Sequence, residues 1–341
     1  MTSSLGRPAA VEREAGAASP LALAFDIGGT KIAAGLVDAE GGVRSFGVEP
    51  TRAVEGPQAG VERLFELGRR VVAEAGEPWS SVAATGIACG GPLDAAAGVL
   101  SAPPHLPGWV DVPLAALAER AFERPAVLEN DATAAAAGEH RHGAGRGVRN
   151  MLYLTISTGV GGGIVVDDRL YRGSTGNGGE LGHVTIDVDG RDCRGCGRRG
   201  CLEAYVSGTS IAERAREALA ASDGSSSLAA VVEPTSRDVA AAAAAGDALA
   251  ASVWGETVEA LSCGLCSLVN VFEPELVVIG GGVARTGEQL LAPVRERVPR
   301  DAMGPAASAR IVASSLGERV GVIGAATVAF ERVAAGSRGG A

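Results

Sequence analysis

Residues 21–31 read LALAFDIGGTK, and residues 150–164 read NMLYLTISTGVGGGI. Each is an apolar run of strand length that meets a cluster of glycines. Each leads into a further apolar segment, IAAGLVDAEGGVRSFGVEP after Lys31 and IVVDDRLYRG from Ile164. An apolar run bounded by glycine predicts a buried strand, and the glycines predict a tight return into its neighbour. The unit recurs after about 130 residues, which predicts a duplicated α/β fold with a cleft between the copies.

Outward from these units, Glu40-Gly41-Gly42 joins two strands that follow Lys31. Val61, Leu64, Phe65, Leu67, Val71 and Val72 have helical spacing between Gln58 and Gly76. Residues 81–88 predict a buried strand running into Cys89-Gly90-Gly91-Pro92, and PAVLEN (125–130) a short one before an alanine-rich helix that follows Asp131. Residues 221–237 predict a loop, and 238–271 a long, mostly helical stretch leading to LVVIGGG (276–282), a third strand that ends in glycines. Residues 1–20 predict a disordered tail, and 335–341 a frayed end.

The chain has 341 residues, 46% hydrophobic and 21% charged, so it has apolar surface enough for a core and is not disordered for most of its length. That length suits two domains better than one. Thirty basic against forty acidic residues leave a net charge of −10, which argues against nucleic-acid partners and anionic membranes. No apolar run approaches the ~18 residues of a membrane span, and the first twenty residues lack the apolar stretch of a secretory signal. Six cysteines without such a signal point to a reducing cytoplasm, where clustered cysteines serve metals or redox chemistry.

The glycine turns at 28–31, 159–163 and 280–282 all follow strands. Backbone N–H groups with no side chain in the way suit phosphate oxygens. A hairpin explains any one of these turns better, but three of them, two in repeated units, point to a nucleotide in the cleft. The GxxxxGK[ST] phosphate loop is absent. Neither Gly159-Val160-Gly161 nor Gly280-Gly281-Gly282 continues into the GxGxxG fingerprint, which argues against a Rossmann dehydrogenase.

His183, Cys193, Cys196 and Cys201 fall within nineteen residues and have the composition of a closed structural Zn²⁺ site. Cys263 and Cys266 lie in a helical stretch without a histidine and read as small packing residues; Cys89 reads as buried, and His140 and His142 as solvated at a helix end. Glu180 and His183, three residues apart, share a face on any helix or turn.

DIGGTK (26–31), LENDATAAAAGE (128–139), ISTGVGGGI (156–164), GNGGELGH (176–183), CRGCGRRGCLE (193–203) and VVIGGGV (277–283) occur in the order found in the ROK family of sugar kinases and related repressors. The resemblance covers roughly residues 21–332, and the segment 156–183 is similar to the family signature almost in full. It implies an actin-like, RNase H-type fold of two α/β domains with ATP and a hexose meeting between them. The smaller would span 21–131, completed by a C-terminal helix near 321–334, and the larger 132–320, carrying the zinc loop 183–203.

By the same resemblance Asp26 holds Mg²⁺, directly or through water. Gly28, Gly29, Thr30 and Lys31 cap the β- and γ-phosphates, Thr158, Gly159 and Gly161 form the opposing phosphate turn, and Gly280, Gly281 and Gly282 meet the adenosine. Asn130 grips sugar hydroxyls while Asp131 takes the proton from the 6-hydroxyl; Gly91, Glu180, His183 and Glu203 contact the hexose. Asp131 could equally cap its helix, so the motif decides between the two roles. There are two departures from the family pattern: Thr133 replaces the usual Asn, and Gly195 is inserted, making CxxC of the usual CxC.

The reading that follows is an ATP-dependent hexose kinase, with glucose the default substrate. An amino- or N-acetylamino-hexose or fructose would use the same residues, discriminated by loops such as 89–93 and 101–110. A repressor needs a DNA-binding module of about 60–80 residues, and only twenty precede Leu21. Intact Asp26 and Asp131 argue against a catalytically dead sensor. A homodimer or homotetramer is expected. The zinc loop is expected to act on sugar binding alone, with phosphate turns 28–31 and 158–163 independent of residues 183–203.

Overall fold

The computed structural model describes residues 19–222 and 224–338. The first half runs β1 (Leu21–Ile27), β2 (Lys31–Asp38), β3 (Val43–Pro50), α1 (Gly56–Glu74), β4 (Val82–Cys89), the short pair β5 (Leu93–Asp94) and β6 (Val99–Leu100), α2 (Leu114–Phe122), β7 (Ala126–Asn130) and α3 (Asp131–His142). The second runs β8 (Met151–Ile156), β9 (Val160–Val166), β10 (Arg169–Leu170), α4 (Glu203–Val206), α5 (Gly208–Ala220), α6 (Ser236–Ala244), α7 (Ala248–Phe272), β11 (Leu276–Gly280), α8 (Glu288–Asp301), β12 (Arg310–Ala313) and α9 (Val320–Arg338).

Two five-stranded sheets result, ordered β3-β2-β1-β4-β7 and β10-β9-β8-β11-β12. In the first, β1, β2 and β3 pair antiparallel while β4 and β7 run parallel to β1. The second repeats that pattern strand for strand. The expected duplication is therefore real, and it extends beyond the glycine hairpins to the parallel strands added on one side.

Alternation along β1 sorts its side chains between two faces. Leu21, Leu23, Phe25 and Ile27 pack with α1 and α2, through Leu64, Phe65, Val71, Leu114 and Phe122. Ala22 and Ala24 face α3 and α9, through Ala134, Ala137, Val322, Ala325 and Ala326. Asp26 follows on that small-residue face, and its carboxylate lies against Gly321 of α9. The second sheet is likewise covered on both faces, by α5, α7 and α8 on one side and by α3 on the other.

The small residues bring backbones together. A Cβ on Gly86 of β4 would lie 2.0 Å from the Ala325 carbonyl oxygen of α9, and one on Gly324 would lie 2.1 Å from that of Ala134 in α3. On its other side α3 meets β9, where a Cβ on Gly163 would lie 2.4 Å from that of Ala136. At the far end of α3 the fully buried Glu139 carboxylate accepts from Ser314 Oγ, Ser315 N, Leu316 N and Ala144 N. These donors offset the cost of burying its charge and tie α3 to the chain entering α9.

Several expectations change. Residues 221–237 contain a 3₁₀ turn (Ser227–Ala230), and α6 starts at Ser236 with a capping box between Thr235 and Asp238. No element was expected over 288–313, where Pro293 and Pro299 inside α8 break the usual helix signal. Cys263 is exposed and Cys266 half-buried, so they are not core packing residues. His140 and His142 are half-buried rather than solvated, and His140 Nε2 lies 2.7 Å from the Val148 carbonyl. The helix α9 continues through Arg338, past the expected fraying at 335. The expected tail over 1–20 lies, but for residues 19–20, outside the described residues. Among the described residues no helix is long and apolar enough to cross a membrane.

Gly324→Ala is expected to cost about 1–3 kcal/mol in denaturant unfolding, because α3 and α9 must separate to admit the methyl. Gly255→Ala, on the open face of α7, is expected to gain up to about 1 kcal/mol of helix propensity. Equal responses from the two variants would show that the α3–α9 contact does not limit packing.

Candidate active site

Parallel pairing aligns the carboxyl ends of β1, β4 and β7: Ile27 is opposite Cys89, and Cys89 opposite Asn130. Strand carboxyl ends are where open α/β sheets bind ligands. In the second sheet Thr155 is opposite Gly280, so the turns after β8 and β11 are neighbours. A Cβ on Gly281, whose φ is +89°, would lie 2.3 Å from the Ile156 carbonyl oxygen, and one on Gly282 would be 3.9 Å from Ser157 Oγ. Two of the three predicted glycine turns are thus brought together.

The turn after β8 is shorter than the sequence suggested. It comprises residues 157–159, with Ser157 N donating to the Gly159 carbonyl, and β9 already begins at Val160. Gly161 is therefore a strand residue opposite Thr155, and not part of that turn. It and Gly163 admit Ala132 and Ala136 of α3 close against β9, while Gly162 admits Leu181.

The turn after β1 is closed by Gly28 N donating to the Lys31 carbonyl at 3.0 Å. Buried Thr51 holds it from behind: its Oγ1 donates to the Gly28 carbonyl at 2.6 Å and its N–H to the Thr30 carbonyl at 3.0 Å. Gly29 and Thr30 remain exposed. Nothing about Thr51 in the sequence marks this role, since it lies twenty residues beyond the turn.

Asn130, not Asp131, caps α3. Its Oδ1 accepts from Ala132 N at 3.0 Å and Thr133 N at 3.1 Å. Capping by Asn130 leaves Asp131 at the first position of the helix. The amide nitrogen of Asn130 faces Gly91, where an added Cβ would be 4.0 Å away. Behind Asn130, buried Glu129 accepts from Arg172 Nε at 2.6 Å.

The carboxyl groups of Asp26 and Asp131 are both driven up from the ordinary range. Burial and then the Asp131 carboxylate raise Asp26 to about 7, against the pull of Lys31. Burial raises Asp131, opposed by the Ala132 N–H, by His105 and by its own N–H. Burial, with Asp131 and Asp26 adding to it, also raises the Cys89 thiol, which stays neutral. Crowded oxygen donors of this kind suit a hard cation such as Mg²⁺, whose charge would relieve their repulsion.

His105, from the loop 101–110, also belongs to this group. Its Nε2 lies 3.8 Å from Cys89 Sγ, and its Cβ and Cε1 stand where Cβ atoms on Gly29 and Gly90 would fall, at 3.0 and 2.7 Å. Burial lowers its pKa while Asp131 raises it. The sequence signal was available: a histidine among prolines and glycines in a chain holding only four histidines.

Glu180 precedes and His183 ends a 3₁₀ turn (Leu181–His183), with Glu180 Oε2 3.9 Å from His183 Nε2. Burial raises Glu180, His183 lowers it, and Asp131 and Glu203 raise it further, so these groups share one neighbourhood. The other histidine nitrogen, Nδ1, is 3.6 Å from Cys193 Sγ. One ligand atom from each of His183, Cys193, Cys196 and Cys201 lies within 4.8 Å of the others. The Cys196–Cys201 sulfur separation of 3.5 Å is close to the edge, about 3.8 Å, of a tetrahedron with 2.3 Å bonds. The donor set thus fits Zn²⁺ despite the inserted Gly195. Burial pushes the Cys193 thiol up to about 12, and a bound cation would reverse that by taking the thiolate.

Glu203 departs from expectation. Its Oε2 accepts from Val160 N at 2.8 Å, and its Oε1 is 3.5 Å from Cys193 Sγ. The cysteine loop and the turn after β8 are therefore directly linked, and the expected independence of that turn from residues 183–203 does not hold.

Residues 22–332 match the model of the ROK family. The glucokinase of Thermotoga maritima is 35% identical over 91% of this chain and 98% of its own length. The ROK hexokinase of Thermus thermophilus superposes with a TM-score of 0.77 at 38% identity, over 92% of this chain and 99% of that one. A ROK family glucokinase from Streptomyces griseus, solved with glucose and AMPPNP, gives 0.77 at 34%, over 91% and 99%.

Asp26 is harder to ionise folded than unfolded, so its contribution to stability is full below its unfolded value of 3.8 and is lost as pH rises through about 7. Asp26→Asn cannot ionise. Without Mg²⁺ it is expected to flatten the fall in Tm between about pH 4 and pH 7. A pH profile superimposable on wild type would mean that Asp26 already ionises at its ordinary value.

Proposed function

The chain belongs to the ROK family, and we propose on that premise that it is an ATP-dependent hexose kinase that phosphorylates the 6-hydroxyl of glucose. The observation that carries the reading is Asp131: the Asn130 cap leaves it at the first position of α3, where its Oδ1 accepts from Ala132 N at 2.8 Å, at a strand end shared with Asp26 and within the influence of Glu180 and His105.

Glucose is held by Asn130, Glu180, His183 and Glu203, with the backbone at Gly91 closing over it. Asp131 accepts the proton from the 6-hydroxyl as the oxygen attacks the γ-phosphorus. Its raised pKa makes it a stronger base than a solvated aspartate, at the cost of a smaller ionised fraction. The phosphates lie between Gly28–Lys31 and Thr158–Gly159, and the adenosine meets Gly280–Gly282. Phosphoryl transfer asks mainly for positioning and charge neutralisation, and these turns offer N–H groups held rigid by Thr51 on one side and by the β8–β9 pairing on the other. Asp26 would hold Mg²⁺, which neutralises the phosphate charge.

His183, Cys193, Cys196 and Cys201 would hold a structural Zn²⁺. With four protein ligands the site is closed and takes no part in transfer. The two nitrogens of His183 support this division, one turned to Cys193 and the other to Glu180. Residues 21–131 with α9 would form one lobe and 132–320 the other. Free cysteines throughout the described residues suit a reducing, cytoplasmic setting.

Asp131→Asn is expected to lower kcat by 10²–10⁴-fold while glucose binding by calorimetry largely survives. Retention of more than about a tenth of the rate would remove Asp131 as the base. Purified protein is expected to carry one zinc per chain, lost in Cys193→Ser together with much of the Tm. Elemental analysis finding no zinc, with Cys193, Cys196 and Cys201 all titrating as free thiols, would overturn the site.

A further inference from the structure

The two oxygens of Glu203 serve two different segments. Oε2 accepts the N–H of Val160, the residue at which the turn 157–159 closes into β9. Oε1 lies against Cys193 Sγ and over Gly195, where an added Cβ would be 2.3 Å from it. The carboxylate is also tight against the turn itself, since a Cβ on Gly159 would fall 2.8 Å from Oε2.

The turn has two further supports from the same region of chain. Gly208 N donates to the Ser157 carbonyl at 2.7 Å, and Thr209 Oγ1 to the Thr158 carbonyl at 2.9 Å. Both hold carbonyl oxygens. Glu203 alone among these three holds an N–H, and its negative charge stands beside the place where phosphate N–H donors must be oriented. A carboxylate is a rigid fork, so a displacement of the cysteine loop at Oε1 is passed to Val160 at Oε2.

We propose that Glu203 is a positioning residue that couples the cysteine loop to the nucleotide phosphate turn, so that metal in the loop sets ATP affinity as well as sugar affinity. This rests on the kinase reading above and adds a role for Glu203 that sugar contact alone does not give. The carboxylate retains unused lone pairs for a sugar hydroxyl, so both roles are compatible.

The test is calorimetric titration with AMPPNP in the absence of sugar, on folded protein of measured zinc content. Glu203→Ala is expected to weaken AMPPNP binding about tenfold or more, the usual effect of losing a hydrogen bond to a charged group, with zinc still at one per chain. Glu203→Gln, whose amide oxygen can still accept from Val160, is expected to stay within about threefold of wild type. Glu203→Asp keeps the charge but withdraws it by one methylene; it is expected to resemble alanine, and it serves if the alanine variant does not fold. Chelated wild type is expected to show the same loss as Glu203→Ala, and chelating that variant to add little. Unchanged AMPPNP affinity in Glu203→Ala and Glu203→Asp, with only glucose affinity falling, would overturn the coupling and leave the kinase reading intact. Losses that multiply on chelation would overturn it as well. Wild type that binds no AMPPNP would overturn the kinase reading and the coupling together.

Discussion

The close approach of α3 to both α9 and β9 is the constraint on which the rest depends. It is made by glycines and alanines that leave no room for a methyl at Gly161, Gly163 or Gly324. Dispersion between backbones at such range is strong for its area, and it is lost steeply when a gap opens. Because α3 begins at the end of β7 and lies along β9, one helix fixes the first sheet's strand ends relative to the second sheet's glycine turns. Asp131 sits at its first residue, so the packing of alanines sets the position of the carboxylate. Glu139 at the other end, with its ring of donors, stops the helix from sliding along its axis.

The same geometry creates the electrostatic tension in the cleft. Asp26 emerges on the face of β1 that carries alanines, against Gly321, because only small neighbours leave space for a carboxyl there. Burial then raises Asp26 and Asp131 together, with a neutral thiol at Cys89 and a half-buried His105 between the turns. Left without a cation, such a pair opposes its own ionisation. The fold therefore stores an unfavourable arrangement of charge at the place where a polyphosphate and its counter-ion would be received, while the cores on either side supply the stability that tolerates it.

Three side chains near these strand ends each serve two partners. Asn130 both caps a helix and turns its amide towards Gly91, so one side chain settles which of two adjacent polar residues holds the helix end. His183 divides its two nitrogens between Cys193 and Glu180, and Glu203 divides its two oxygens between Cys193 and Val160. Such two-ended side chains make the cysteine loop part of the cleft rather than an appendage to it.

Much of this was legible in the amino-acid sequence. The apolar runs that end at Asp26 and Ile156, each followed by glycine, declared the duplicated sheets, because hydrophobic periodicity and glycine turns are local properties. The spacing of His183, Cys193, Cys196 and Cys201 pointed for the same reason to a cluster of donors, which the structure brings within 4.8 Å of one another, and the motifs around Asn130 and Glu180 to the family. The tertiary structure alone decided that Gly161 and Gly163 serve helix packing rather than a turn, since a glycine looks the same in sequence whether a phosphate or an alanine methyl approaches it. It alone brought Thr51 behind the turn at Gly28, His105 beside Asp131, and Glu203 onto Val160, contacts that span 23 to 43 residues of chain and depend on strand register and helix docking. Local chemistry is written residue by residue, whereas which residues meet is settled only when the two sheets close on α3.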